Sequence, residues 1–234
     1  MKNRASGLMA ALLTMAIGAQ AEYKLKPSNA SADSIGSYLY NVTDVSAIPP
    51  ATSGEANNNS GLFTSGAGGM SMVYTGLFGW DSSSISNTNA LGAYLATLTS
   101  TDVKVNVGSN DWGLDTTAIV PADTNNRLDP GEVAIFTFTN SLSSGDLFLN
   151  GISLTTFTLA DAIDVLLYDP DTDTVLDKVA GFSQSGGDVR LAFTNQLQTG
   201  YQLIIGTQPG TPSLYRIDGL FFDAFLPPGT NNAP

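Results

Sequence analysis

The chain has 234 residues, with 21 acids against 9 bases and neither Cys nor His. No disulfide can staple it, no thiolate can attack a substrate, and no Ser-His-Asp or Cys-His constellation can be built. The usual His and Cys ligands of zinc are missing as well.

Residues 1–21 read as a secretory signal. Lys2 and Arg4 make a basic start, Leu8 to Ile17 is apolar, and Ala19-Gln20-Ala21 is a small-x-small cleavage site. That apolar stretch is too short for a bilayer, which takes about 20 residues. The mature chain is expected to begin at Glu22 and to be secreted or held at the cell surface. No other run approaches membrane length, so no transmembrane anchor is expected. Losing the signal removes two of the 9 bases and none of the 21 acids, leaving seven bases and a balance of −14. Such a field repels phosphate backbones, which makes nucleic acid a poor partner. With no disulfide, stability must come from burial, and a chain of this size buries about 70% of its unfolded surface. One domain over residues 22–226 is expected, followed by a disordered tail at 227–234.

The first hundred residues are rich in Ser, Gly, Asn and Ala. From Ala51 to Met70, eleven of twenty are Gly, Ser or Asn, which predicts a long flexible loop. Strands are predicted at Tyr38 to Val42 and Met70 to Phe78. Ala90 to Leu98 is ambiguous, because Leu91, Leu95 and Leu98 suit a helix while the Thr-Ser flank after it suits a turn. Beyond residue 100 the predicted strands are Val103 to Val107, Val133 to Thr139, Leu147 to Phe157, Ile163 to Tyr168, Val175 to Val179, Val189 to Phe193, Tyr201 to Gly206 and Tyr215 to Phe225. Asp, Asn, Gly, Pro and Ser between them supply turn geometry. Many strands without helical spacers predict an all-β fold: an antiparallel, jelly-roll-like sandwich with little helix outside the signal. Phe138-Thr139-Asn140-Ser141-Leu142 is echoed by Phe193-Thr194-Asn195-Gln196-Leu197, through a duplicated half-sandwich or through turn chemistry used twice.

Three candidate sites emerge. Asp123, Asn125, Asn126, Asp129 and Glu132 could offer several of the six to eight oxygens that Ca²⁺ takes, although the spacing is not an EF-hand. The alternative is an Asn-rich turn closed by Asp129-Pro130-Gly131, with Glu132 paired to Arg127. Asp169-Pro170-Asp171-Thr172-Asp173-Thr174 opens like a calcium loop but lacks the Gly and Glu that follow in one, and reads as a hairpin turn. Trp80 beside Asp81, and Trp112 beside Asp111, could stack on a pyranose while the carboxylates take its hydroxyls. Equally, each Trp could fold over the edge of the core.

Leu128-Asp129-Pro130-Gly131-Glu132 entering Ala134-Ile135-Phe136-Thr137-Phe138 resembles an element of secreted bacterial β-sandwich proteins that often carry a C-terminal Pro-Glu-Pro sorting signal. Trp112-Gly113-Leu114 and Tyr215-Arg216-Ile217-Asp218-Gly219-Leu220 fit the same style. This chain lacks the signal itself. The resemblance implies an exported surface or matrix role and no particular activity. The expected function is a non-catalytic polysaccharide-binding or matrix module; a Ca²⁺, if bound, would be structural and lie near Asp123 to Glu132. The alternatives are a surface protein that self-assembles through sheet edges and a carboxylate-dependent glycosidase or lyase.

Overall fold

The computed structural model describes residues 20–25, 32–35, 37–41, 45–48, 71–81, 83, 90–100, 103–107, 111–116, 127–138, 147–155, 162–182, 187–209 and 215–225. The predicted signal before residue 20, the loop at 51–70 and the tail at 227–234 lie outside these residues. Among the described residues, the elements are β1 Gln20–Leu25, β2 Ala32–Ile35, β3 Ser37–Asn41, β4 Val45–Ile48, β5 Ser71–Phe78, α1 Leu91–Leu95, β6 Val103–Val107, β7 Trp112–Thr116, β8 Glu132–Phe138, β9 Leu147–Thr155, β10 Ile163–Asp169, β11 Thr174–Phe182, β12 Gly187–Arg190, β13 Gln202–Thr207 and β14 Arg216–Phe225. The fold is all-β, as the turn-punctuated strand pattern predicts.

The strands form two antiparallel sheets. One has eight strands: β12-β9-β14-β7-β6-β2 in order, with β1 also on β14 and β4 on β1. The other has six, in the order β11-β10-β13-β8-β5-β3. The last eight strands pair in nested fashion: β10 with β11, β9 with β12, β8 with β13 and β7 with β14. Nesting of this kind is one long hairpin whose two arms cross together from sheet to sheet.

Period-2 alternation explains which side chains meet between the sheets. Ala134, Phe136 and Phe138 of β8, Ile163, Val165 and Leu167 of β10, and Leu203 and Ile205 of β13 share one core cluster with Ile152 and Leu154 of β9 and Ile217, Leu220 and Phe222 of β14. Aromatic pairs span the two sheets. Trp112 stands edge-on to Phe136 at 5.3 Å, and Phe138 to Phe222 at 6.2 Å. Edge-to-face pairs add about 0.5–1.5 kcal/mol beyond their buried area.

The six-stranded sheet is apolar on its outer face too. Val133, Ile135, Leu166, Tyr168 and Ile204 form a second cluster there with Trp80 and Leu91. The cover is formed by residues 79–81 and 90–100, which carry Trp80, α1 and Leu98. Its ends meet: Phe78 N–H donates to Thr99 O at 2.8 Å, and Thr99 N–H donates back to Phe78 O at 3.0 Å. Within the ambiguous 90–98 stretch the helix spans Leu91–Leu95, with Leu91 buried against the sheet and Leu95 and Leu98 partly buried on the same cluster. The turn at Asp169 to Thr174 is a hairpin, with β10 and β11 paired on either side. The strand predicted over Val189 to Phe193 instead runs Gly187–Arg190. Leu191 and Phe193 stay buried, but the chain there is crossing from one sheet to the other. The N-terminal third, unplaced by the sequence pattern, adds β2 to β6, β3 to β5 and β1 to β14.

Candidate functional site

The two tryptophans predicted as stacking platforms are both packed away. Trp80 is 1% exposed and Trp112 0%. Trp80 lies on the outer face of the six-stranded sheet, its Nε1–H donating to Asp164 Oδ2 at 3.1 Å and its ring over Gly206. Asp164 is buried as well, and it also accepts from Gly181 N–H at 2.9 Å and Gln208 Nε2 at 3.1 Å. Trp112 lies in the other cluster, between the sheets. Neither ring offers an open face to a sugar, and the structure does not bring the two together. Their acidic neighbours have local tasks. Asp81 Oδ1 accepts from Ser83 N–H at 2.9 Å, and Asp111 Oδ2 is paired with Arg216 Nη1 at 3.1 Å.

Of the predicted calcium ligands, Asp123, Asn125 and Asn126 lie outside the described residues. Asp129 and Glu132 are buried and lock each other. Asp129 N–H donates to Glu132 Oε2 at 2.8 Å, and Glu132 N–H donates to Asp129 O at 3.0 Å. Gly131 between them has φ +86°, a left-handed conformation that favours Gly. Its carbonyl accepts from both Gly79 N–H and Trp80 N–H at 2.8 Å, and its own N–H donates to Thr207 O at 3.1 Å. The Asp-Pro-Gly-Glu turn is therefore a junction that seats Trp80 over the sheet. Glu132 also raises the Tyr74 phenol, second to burial; with Tyr215 and then Asp111 it holds that pKa well above the usual tyrosine range. Tyr74 Oη donates across to Gly113 O at 3.0 Å, tying the two sheets together. No group of three or more acidic residues suited to a metal occurs among the described residues.

A different set of polar residues converges on the outer face of the eight-stranded sheet. Ile152 and Leu154 point into the core, so Ser153 between them points outward. Its Oγ donates toward Asp188 Oδ1 at 2.8 Å and toward Asp218 Oδ2 at 3.2 Å. Those two carboxylate oxygens are thus at most 6.0 Å apart, the sum of the two distances. Asp188 reaches Ser153 because β12 and β9 pair them directly. Asp218 reaches it through a bulge: Ile217 pairs with Leu154 and Gly219 with Ser153, leaving Asp218 as the extra residue. Bulges re-aim side chains in this way. Arg190 lies on the same face, its guanidinium 4.5 Å from the centre of the Phe221 ring. Arg216, two residues before Asp218, carries the pair with Asp111.

Sequence reasoning missed this set. Its signal was the polar residue at every second position, as in Asp188-Val189-Arg190 and Arg216-Ile217-Asp218. Alternation gives the face but not which strands lie side by side. No protein-family model, no curated protein and no solved structure matches the chain, so the likeness of the Leu128 to Phe138 element to exported β-sandwich proteins rests on those residues alone.

Proposed function

We propose that the chain is an exported, non-catalytic binding or matrix module on a jelly-roll frame, and that it takes polysaccharide on the outer face of its eight-stranded sheet. The nested strand pairing supports the frame, and the basic-then-apolar start with its small-x-small site supports export. One observation carries the ligand class: carboxylates of Asp188 and Asp218 gathered around the Ser153 hydroxyl, with Arg190 and Arg216 alongside. Carboxylates accept from sugar hydroxyls, and guanidinium groups donate to them. Recognition on this reading is by hydrogen bonds, with Trp80 and Trp112 left to packing. A structural Ca²⁺ would draw on Asp123, Asn125, Asn126 and Asp129, beside the turn that Glu132 closes.

The test is depletion of the secreted chain from solution by a panel of soluble and insoluble polysaccharides, in Ca²⁺ and in EDTA. Depletion by one glycan class is expected. Asp188→Ala and Asp218→Ala, still folded by circular dichroism, are each expected to weaken it at least about tenfold, the loss of one good charged hydrogen bond. No depletion by any glycan, or variants that bind as wild type does, would refute the proposal. Loss in EDTA alone would place calcium in it.

A second reading draws on the same pair. Retaining glycosidases hold two carboxyl groups about 5–5.5 Å apart, within the 6.0 Å bound on Asp188 and Asp218. Release of reducing sugar by wild type, abolished in Asp188→Asn and Asp218→Asn, would favour a hydrolase over a binding module.

A further inference from the structure

Among the described residues, strand β11 is an edge of the six-stranded sheet and runs for nine residues. The neighbouring edge of the other sheet, β12, has only four. An unpaired edge offers a row of N–H and C=O groups that another strand can complete. Here the middle of β11 is already occupied. Asp177 Oδ2 accepts from Thr194 N–H at 3.1 Å, from Asn195 N–H at 2.9 Å and from Asn195 Nδ2 at 2.9 Å. The same Asn195 Nδ2 donates to the β11 carbonyl of Leu176 at 3.0 Å. One carboxylate thus holds a stretch of backbone, and the amide that this backbone carries caps an edge carbonyl.

The latch is anchored on both sides. Leu191 and Phe193 precede it and Leu197 follows it, each at most 9% exposed. The segment cannot swing away without emptying core positions. Other features discourage pairing along the same strand. Register shifts interrupt its ladder with β10 at two places. Gly181 has φ +58°, and its N–H is taken by Asp164 Oδ1 at 2.9 Å. Lys178 is exposed beside Asp177. Thr194 and Asn195 belong to the second copy of the Phe-Thr-Asn echo, which gives that motif a task.

We propose that the Asp177–Asn195 latch is an edge guard, which keeps a second copy of this chain from adding its own β11 to the six-stranded sheet. Self-pairing through β11 is what the guard prevents, and losing the Asn195 amide uncaps the edge at the Leu176 carbonyl. The inference stands independently of the glycan site, which lies on the other sheet.

The secreted chain would be run by size exclusion with light scattering over a range of concentrations, as wild type, Asn195→Ala and Asp177→Asn. Wild type is expected at one mass throughout. Asn195→Ala uncaps Leu176 and is expected to at least double in mass as concentration rises, with the circular dichroism of wild type. Asp177→Asn keeps an acceptor oxygen for the Thr194 and Asn195 amides and is expected to behave as wild type. Hydrogen exchange then distinguishes edge pairing from misfolding: association through β11 slows exchange of β11 amides. An Asn195→Ala chain that keeps the wild-type mass at every concentration overturns the proposal, and so does association that leaves β11 exchange unchanged. A wild type that already self-associates with β11 protected overturns it too.

Discussion

Asp173 is the one non-Gly residue with positive φ recorded among the described residues, at 50°. Asp and Asn tolerate that region better than other residues. Its strain is offset by what the side chain does there. Oδ1 accepts from Tyr168 Oη at 2.7 Å and from Gly92 N–H at 2.9 Å, so a hairpin turn caps the start of α1 across the sheet. The Gly92 amide first, and the Tyr168 hydroxyl next, hold the Asp173 carboxyl below its ordinary 3.8. A carboxyl lowered by folding contributes stability above its unfolded pKa and loses it as pH falls through the folded one. Docking of α1 should therefore weaken as pH drops below 3.8. Tyr168 is pushed up to about 12 by burial first and by Asp173 next, so its contribution fades only as pH climbs from 10 towards 12. The Gly92 amide reports on the acid limb: its protection factor should fall below that pH, and Asp173→Ala should lower it at neutral pH. Unchanged protection in Asp173→Ala would contradict this account. The turn itself was legible, because Asp-Pro-Asp-Thr between apolar runs has one ready geometry. Its cap on α1 was not, because Gly92 lies 81 residues away. The tryptophans show the same limit. Trp80 beside Asp81 and Gly79 looks identical whether its ring meets a sugar or Asp164, its partner 84 positions on.

At the level of elements, unbroken apolar runs such as Ala134-Ile135-Phe136, Leu166-Leu167 and Ile204-Ile205 mark strands buried on both faces. They were visible as strands, yet the sequence does not say what covers the second face. The answer is residues 79–81 and 90–100, which carry Trp80, α1 and Leu98. The N-cap residue of α1, Ala90, gives no side-chain cap and its terminal turns carry no charge, so packing and the remote Asp173 hold it in place. The tightest point of that cover is Gly206. A Cβ there would run into the Trp80 ring. Gly206→Ala should overpack the contact and destabilise the fold by about 1–3 kcal/mol. Urea unfolding followed by tryptophan fluorescence measures this, and an unmoved midpoint would show that the ring can yield. The misplaced end of β12 has a related cause. Val189, Leu191 and Phe193 keep strand-like alternation because all three are buried, although β12 ends at Arg190.

Across the whole molecule, nested pairing makes the outermost contacts the most distant in sequence. The bond from Arg216 to Asp111 closes 105 positions. Closing such long loops costs entropy before contact energy is gained, so refolding is expected on the millisecond-to-second scale typical of sheet topologies. Stopped-flow fluorescence would check this, and complete recovery within the dead time would contradict it. The all-β class was legible because turn residues punctuate the chain regularly. The winding was not, since alternation and turns leave the pairing partners open. Of the internal echo, residues 139–142 lie outside the described residues. Phe138 ends β8, and Phe193 lies between β12 and β13. Phe138 N–H donates to Tyr201 O at 3.0 Å and Gly200 N–H to Phe138 O at 2.7 Å, so the Phe of the first copy meets the chain that follows the second. The sheet pairing has one more consequence. Gln20 of β1 is paired with Phe225 of β14, so the described strands start and finish at adjacent positions, like a plug with both wires at one end. Such a unit can be spliced into a longer polypeptide or permuted without rerouting a strand. The jacket over the six-stranded sheet, with Trp80 and Leu91, lies inside that span and travels with it.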